Sequence, residues 1–118
     1  MTERSLDLEL QELKDMVLKM GNMVESAIVM SIDALKDRDE RLSISIIEND
    51  KCIDNLELEI DEKCITLIAT KQPMAADLRF IATTMKIITD IEGIGDLAVD
   101  VAQKNLELIS MPSLNRLS

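Results

Sequence analysis

Apolar residues recur along this chain in alternating steps of three and four, which is the period of a helical heptad seam and not the period of two of a strand. In the first segment the series is Leu6, Leu10, Leu13, Val17, Met20, Val24, Ala27, Ser31 and Ala34, predicting a helix from about Leu6 to Leu35. The polar run Lys36-Asp37-Arg38-Asp39 ends it. A second seam, Leu42, Ile46, Ile53, Leu56, Ile60 and Leu67, predicts a helix from about Glu40 to Thr70. It stops at Lys71-Gln72-Pro73, because proline cannot continue a helix interior but is accepted in the first turn of a new one. The third seam reads Leu78, Ile81, Met85, Ile88, Glu92, Gly95, Val99, Ala102, Leu106 and Ile109, predicting a helix from about Met74 to Ser110. Each helix is about 45 Å long at 1.5 Å per residue. The two connections are short, so sequential helices must run antiparallel. The expected fold is all-α, an up-down-up three-helix bundle over residues 1–111 with coiled-coil-like packing, followed by a tail at 112–118.

Composition narrows the possibilities. The 118 residues are 47% hydrophobic and 31% charged, with three glycines and two prolines. That excludes a disordered or linker-like chain, and the size suffices for a real core. The longest uncharged stretch is eight residues, Leu108 to Asn115, far short of the roughly 20 needed to span a bilayer. No apolar leader follows Met1, and the expected compartment is the cytoplasm, with any membrane association only peripheral and through partners.

Charge removes further classes. With 13 basic and 23 acidic residues the net charge is −10, and Phe80 is the sole aromatic residue. Such a chain lacks the basic field and the stacking platforms of a nucleic-acid binder. Cations and basic protein surfaces are favoured instead. The absence of histidine removes triads, haem ligation and the usual zinc sites. Cys52 and Cys64 on one helix would lie about 18 Å apart, too far for a disulfide, and both are expected to be small buried apolar residues. No nucleophile–base pair and no glycine-rich phosphate loop is present, so no enzymatic activity is expected.

One segment breaks the local rules of a helix. In Asp90-Ile91-Glu92-Gly93-Ile94-Gly95-Asp96, a carboxylate falls on the apolar seam and two glycines fall mid-helix. Each glycine costs about 1 kcal/mol relative to alanine. Such departures are expected at functional sites or close backbone contacts. Glu92 and Asp96 share a helix face, as do Asp50 and Asp54 on the preceding helix. With the hairpin centred near Pro73, residues equally distant from it in sequence stand at the same height. Asp50 is as far from Pro73 as Asp96 is, and Asp54 as far as Glu92. Four carboxylates, Asp50, Asp54, Glu92 and Asp96, are therefore expected to converge. An all-oxygen set prefers hard cations such as magnesium, calcium, manganese or ferric iron. A ferritin-type centre is excluded because it requires histidine. The plain alternative is a solvated acidic face. Glu25 stands at the height of Asp50, although an ordinary surface role suits it better. The methionines of the first helix, Met16, Met20, Met23 and Met30, are read as core.

The chain resembles the PhoU family of phosphate-signalling regulators along almost its whole length. The resemblance runs through Met20-Gly21-Asn22-Met23-Val24-Glu25, Ile47-Glu48-Asn49-Asp50-Lys51-Cys52-Ile53-Asp54 and Leu56-Glu57-Leu58-Glu59-Ile60. It is sharpest at Gln72-Pro73-Met74-Ala75-Ala76-Asp77-Leu78-Arg79 and at Asp90 to Asp96. It implies a three-helix repeat with polynuclear metal sites on its second and third helices, built from Glu/Asp-x-x-x-Asp motifs that Asp50 with Asp54, and Glu92 with Asp96, match here. It also implies a non-enzymatic regulator of phosphate uptake and phosphate-starvation signalling. Its cofactor would be a hard cation such as iron, manganese or magnesium, and its partners a phosphate transporter ATPase of the ABC type and a sensor histidine kinase. The family commonly has arginine where this chain has Gly93, so contacts of that arginine are not expected. Relatives carry two repeats in tandem. The chain resembles the N-terminal one, and Pro112 to Ser118 resembles the start of a second. A lone repeat exposes apolar surface, which predicts self-association into a dimer or larger homo-oligomer. The alternatives are a metal-storage bundle with no signalling role, a purely structural helical module, and a regulatory domain of another ion transporter.

Overall fold

The computed structural model describes residues 2–111. It consists of α1 (Thr2–Asp37), α2 (Glu40–Lys71) and α3 (Ala75–Ser110), packed as an antiparallel up-down-up bundle about 17 Å across in both short directions. Helix and bundle are as the heptad seams predict. The expected tail at 112–118 lies outside the described residues. No helix among the described residues is long and apolar enough to cross a membrane.

The turns follow from residues at the helix ends. Arg38 adopts the left-handed conformation (φ 53°), and the Asp39 N–H reaches back to the Ala34 carbonyl at 2.9 Å, closing α1 with a Schellman-type cap. Asp39 then caps α2, its Oδ1 accepting from the Leu42 N–H at 3.0 Å. Gln72 ends α2 in the left-handed region. Pro73 lies in the connection, and α3 begins at Ala75 after the N-cap Met74, so the proline precedes the first turn and is not part of it. At the far end of the α1–α2 pair, Lys63 Nζ donates to Glu9 Oε2 at 2.7 Å and Glu12 Oε2 at 3.1 Å.

The core matches the α1 seam closely. Leu13, Met20, Val24 and Ala34 are buried, and Ser31 is buried with its hydroxyl donating to the Ile28 carbonyl. On α2, Ile46, Ile53, Leu56, Ile60, Cys64 and Leu67 are buried. Cys52, expected inside, is exposed. It is one residue before Ile53, and on a helix whose core face carries Ile46, Ile53 and Ile60, that neighbouring position turns outward.

On α3 the expected seam is half right. Ile81, Ile88, Gly95 and Ala102 are buried, but their partners in the heptad are Thr84, Ala98 and Asn105, not Met85, Val99 and Leu106. Leu78 is exposed. From Gly95 onward small or polar side chains occupy the seam, while Val99 and Leu106 flank it half-buried. Ala34, Ala98 and Ala102 with Ile46 form a second, slimmer part of the core towards the α1–α2 turn. There the helices leave room for a polar layer. Asn105, fully buried, donates through Nδ2 to the Ala34 carbonyl and to Ser43 Oγ, both at 2.9 Å. Ser43 Oγ in turn donates to the Asp39 carbonyl at 3.0 Å.

Candidate metal centre

The groove between α2 and α3 carries the acids. On α2, Asp50, Asp54, Glu57 and Asp61 recur in steps of four, three and four, so one stripe of carboxylates runs beside the buried seam. On α3, Glu92 and Asp96 flank Ile88 and Gly95 in the same manner. Oxygen atoms of Asp54, Glu57 and Glu92 all lie within 4.8 Å of one another. A groove of about 460 Å³ runs along Asp54, Glu57, Leu58, Asp61, Ile88 and Thr89. Ile88, buried at its base, keeps part of the carboxylate surface from water, while Leu58 at its edge is exposed.

Electrostatics record that crowding. Glu92, half-buried, is pushed up to about 7, first by loss of solvent, then by the hydrogen bond its protonated carboxyl makes with Asp96, then by the charges of Asp96, Glu57 and Asp54. Glu57 is raised by desolvation and by Asp54, Asp61 and Asp96. Asp50 is raised by desolvation and by Asp54 and Asp96. The lysines with defined ion pairs, Lys63 and Lys104, engage Glu9, Glu12 and Asp100 and not these acids.

The four acids expected from the hairpin are thus distributed as follows. Asp54 and Glu92 face one another across the groove. Asp96 reaches Glu92 from the same helix. Asp50 is close enough to Asp54 and Asp96 to feel both charges, but it lies one turn away and borders an apolar cavity lined by all three helices, beside Met23, Ile53 and Gly95. Glu57 completes the tight cluster and was not anticipated. Its signal was the heptad rule applied to acids, since Glu57 stands three residues after Asp54 and seven after Asp50. Glu25 does not join the cluster, for it borders the groove between α1 and α3.

The two glycines separate in role. A Cβ on Gly95 would stand 3.4 Å from Val24 Cγ2 and 4.0 Å from Ile53 Cγ2, ordinary contact distances, so this buried glycine faces both other helices behind Glu92 and Asp96. Gly93 faces open space. The donor set is all oxygen, spans two helices and is short of positive charge, which fits a hard cation.

Residues 17–104 match the family model of the PhoU domain. A phosphate-specific transport system accessory protein PhoU homolog of Clostridium acetobutylicum is 45% identical over 104 residues, covering 87% of this chain and 48% of that protein. The homolog of Aquifex aeolicus is 40% identical over 106 residues, covering 90% and 48%. The phosphate-specific transport system accessory protein PhoU of Escherichia coli is 37% identical over 117 residues, covering 92% and 48%. The chain spans about half the length of the curated relatives it matches. A model match over most of the chain, on a three-helix bundle whose α2–α3 groove gathers the acids, establishes that the chain belongs to the PhoU domain family.

Proposed function

We propose that this chain is a non-enzymatic, metal-binding accessory domain that regulates phosphate uptake, acting at the cytoplasmic face of a phosphate transporter. The observation that carries the reading is the convergence of Asp54, Glu57 and Glu92 across the α2–α3 groove. The names of the relatives, accessory proteins of a phosphate-specific transport system, supply the physiological direction. The partners in this reading are the transporter ATPase and a sensor histidine kinase, both met through the helical surface of a rigid bundle.

Asp54, Glu57 and Glu92 would hold a hard cation such as iron, manganese or magnesium, with Asp96 and Asp50 beside them. When bound, the cation supplies positive charge on an acidic surface, which can attract phosphate or an acidic partner segment that net −10 repels. The rest of the work belongs to the protein. Ile88, buried beside the acids, keeps water from one side of the groove and strengthens the charge interactions there.

The test is elemental analysis of protein purified without chelator, beside Asp54→Asn/Glu92→Gln and Glu57→Gln. Near-stoichiometric iron, manganese or magnesium in the wild type, lost in both variants, is the expected result. Metal-free wild-type protein that takes up no cation on addition refutes the metal half of the reading. Retention of transporter ATPase on the immobilised domain tests the other half.

A further inference from the structure

The face that α3 turns to the core is not its most apolar one. Ile81, Ile88, Gly95 and Ala102 belong to the seam in either of two rotations of the helix. In the structure Thr84, Ala98 and Asn105 are buried beside them. Met85, Val99 and Leu106, each one position further on, stay half-buried. At about 100° per residue, the two seams differ by a turn of about 50° about the helix axis. Three of the four exchanges in that turn bring a larger apolar residue inward, and apolar burial favours them. The fourth replaces Ile91 with Glu92, carrying Glu92 from the rim of the α2–α3 groove towards the core.

Two features oppose the turn. Burying the Glu92 carboxylate is costly, but that cost acts in one direction. It keeps Glu92 out of the core without aiming it at Asp54 and Glu57. The polar layer acts in both directions. Asn105, with none of its surface exposed, donates through Nδ2 to the Ala34 carbonyl on α1 and to Ser43 Oγ on α2, both at 2.9 Å. Ser43 is also buried, and its own bond to the Asp39 carbonyl at 3.0 Å fixes it. Bonds from one amide to two different helices are broken whichever way α3 turns, and each break leaves a buried polar group unpaired. Thr84, the other polar residue of the α3 seam, donates to the Phe80 carbonyl of its own helix, so its hydroxyl does not anchor α3 to a neighbour. A single polar residue on an apolar seam specifies how helices pack, at a cost in stability.

Asn105 stands thirteen residues after Glu92, about 20 Å along an unbroken helix. We propose that Asn105 is a positioning residue for the carboxylate cluster: by fixing the rotation of α3 against α1 and α2, it holds Glu92 at the groove opposite Asp54 and Glu57. The consequence for a bound cation rests on the metal-binding reading above; the rotation does not.

Rotation and binding are measured separately. Rotation is read in chelator, in the full chain carrying Cys52→Ser, from the rates at which a maleimide modifies Ala98→Cys and Val99→Cys. With Asn105 in place, the thiol at position 98 is buried and should react about tenfold more slowly than the thiol at position 99. Asn105→Ala is expected to abolish or invert that difference. Ser43→Ala, which removes one of the two bonds, should narrow it, and it serves in place of Asn105→Ala if circular dichroism shows the latter unfolded. Binding is read by calorimetric titration of manganese(II), expected to be about tenfold weaker in Asn105→Ala. Ile81→Val and Ile81→Ala, at a buried apolar position towards the other end of α3, lower stability without touching the polar layer and should leave both readouts near wild type. An unchanged rate difference in Asn105→Ala and Ser43→Ala overturns the proposal. So does manganese affinity that falls no further in Asn105→Ala than in the Ile81 variants. If the wild type takes up no manganese, the metal reading fails, and the thiol rates alone uphold or overturn the role of Asn105.

Discussion

Asn105 of α3 donates to the carbonyl of Ala34, in the last turn of α1, at 2.9 Å from inside the protein. The same amide donates to Ser43 Oγ in the first turn of α2. One buried side chain thus ties the third helix to both ends of the first turn. Its Oδ1 has no hydrogen-bond partner among the described residues, so the contact is stabilising only through its donors. Asn105→Ala is expected to destabilise the bundle by about 1–3 kcal/mol, by removing two buried bonds and leaving Ser43 with one partner fewer. Urea denaturation checks this. Ser43→Ala and the double variant should show coupling, because both act through one network.

The three glycines should respond in different ways. Gly93→Ala and Gly21→Ala are each expected to raise stability by up to about 1 kcal/mol, since the added methyl meets open space and only helix propensity changes. Gly95→Ala should gain at least as much, because the new methyl meets Val24 Cγ2 at 3.4 Å in ordinary van der Waals contact beside an apolar cavity. Gly95→Leu should lose about 1–3 kcal/mol by overpacking between α1 and α2. Thermal midpoints of the four variants order these effects directly.

Metal-free protein should become less stable as pH rises from about 5 to 8. Glu92 ionises at about 7 in the folded protein and near the ordinary carboxylate range once unfolded. Between those values the folded state binds more protons than the unfolded one, so stability falls with rising pH and levels off above about 7. Glu57 and Asp50, also raised, act in the same direction. Urea midpoints at pH 5.5 and 8 should show the decline, and Glu92→Gln should flatten it.

The two cysteines should separate chemically. Cys52 is exposed, whereas Cys64 is buried and its thiol is pushed up to about 11, first by desolvation and then by the charge of Asp61. An aromatic disulfide reagent at pH 8 should modify one thiol in native protein and two in urea. Rapid reaction of both in native protein would contradict the burial of Cys64.

The groove acids show where sequence reasoning reached and where it stopped. Asp54 and Glu92 were legible as partners because an antiparallel hairpin with a known turn sets height, and height depends only on counting residues from Pro73. Glu57 was overlooked because rotation about the helix axis, not height, brings it to the groove. The α3 seam failed for a related reason. Met85, Val99 and Leu106 are more apolar than Thr84, Ala98 and Asn105, and hydropathy alone put the larger residues inside.

The number of helices, their direction, the turn positions and the candidacy of the acidic helix pair were determined by the sequence itself. These are local properties, set by heptad period, cap residues and short connections. Tertiary structure decided the rotation of each helix about its axis. On α3 it turned the small residues Gly95, Ala98 and Ala102 inward together with Asn105. That rotation turns Cys52 outward, directs Glu57 to the acids and Glu25 to the opposite groove, and closes Asn105 over the first turn. It depends on how three surfaces fit together at once, a property that no single helix carries in its own sequence.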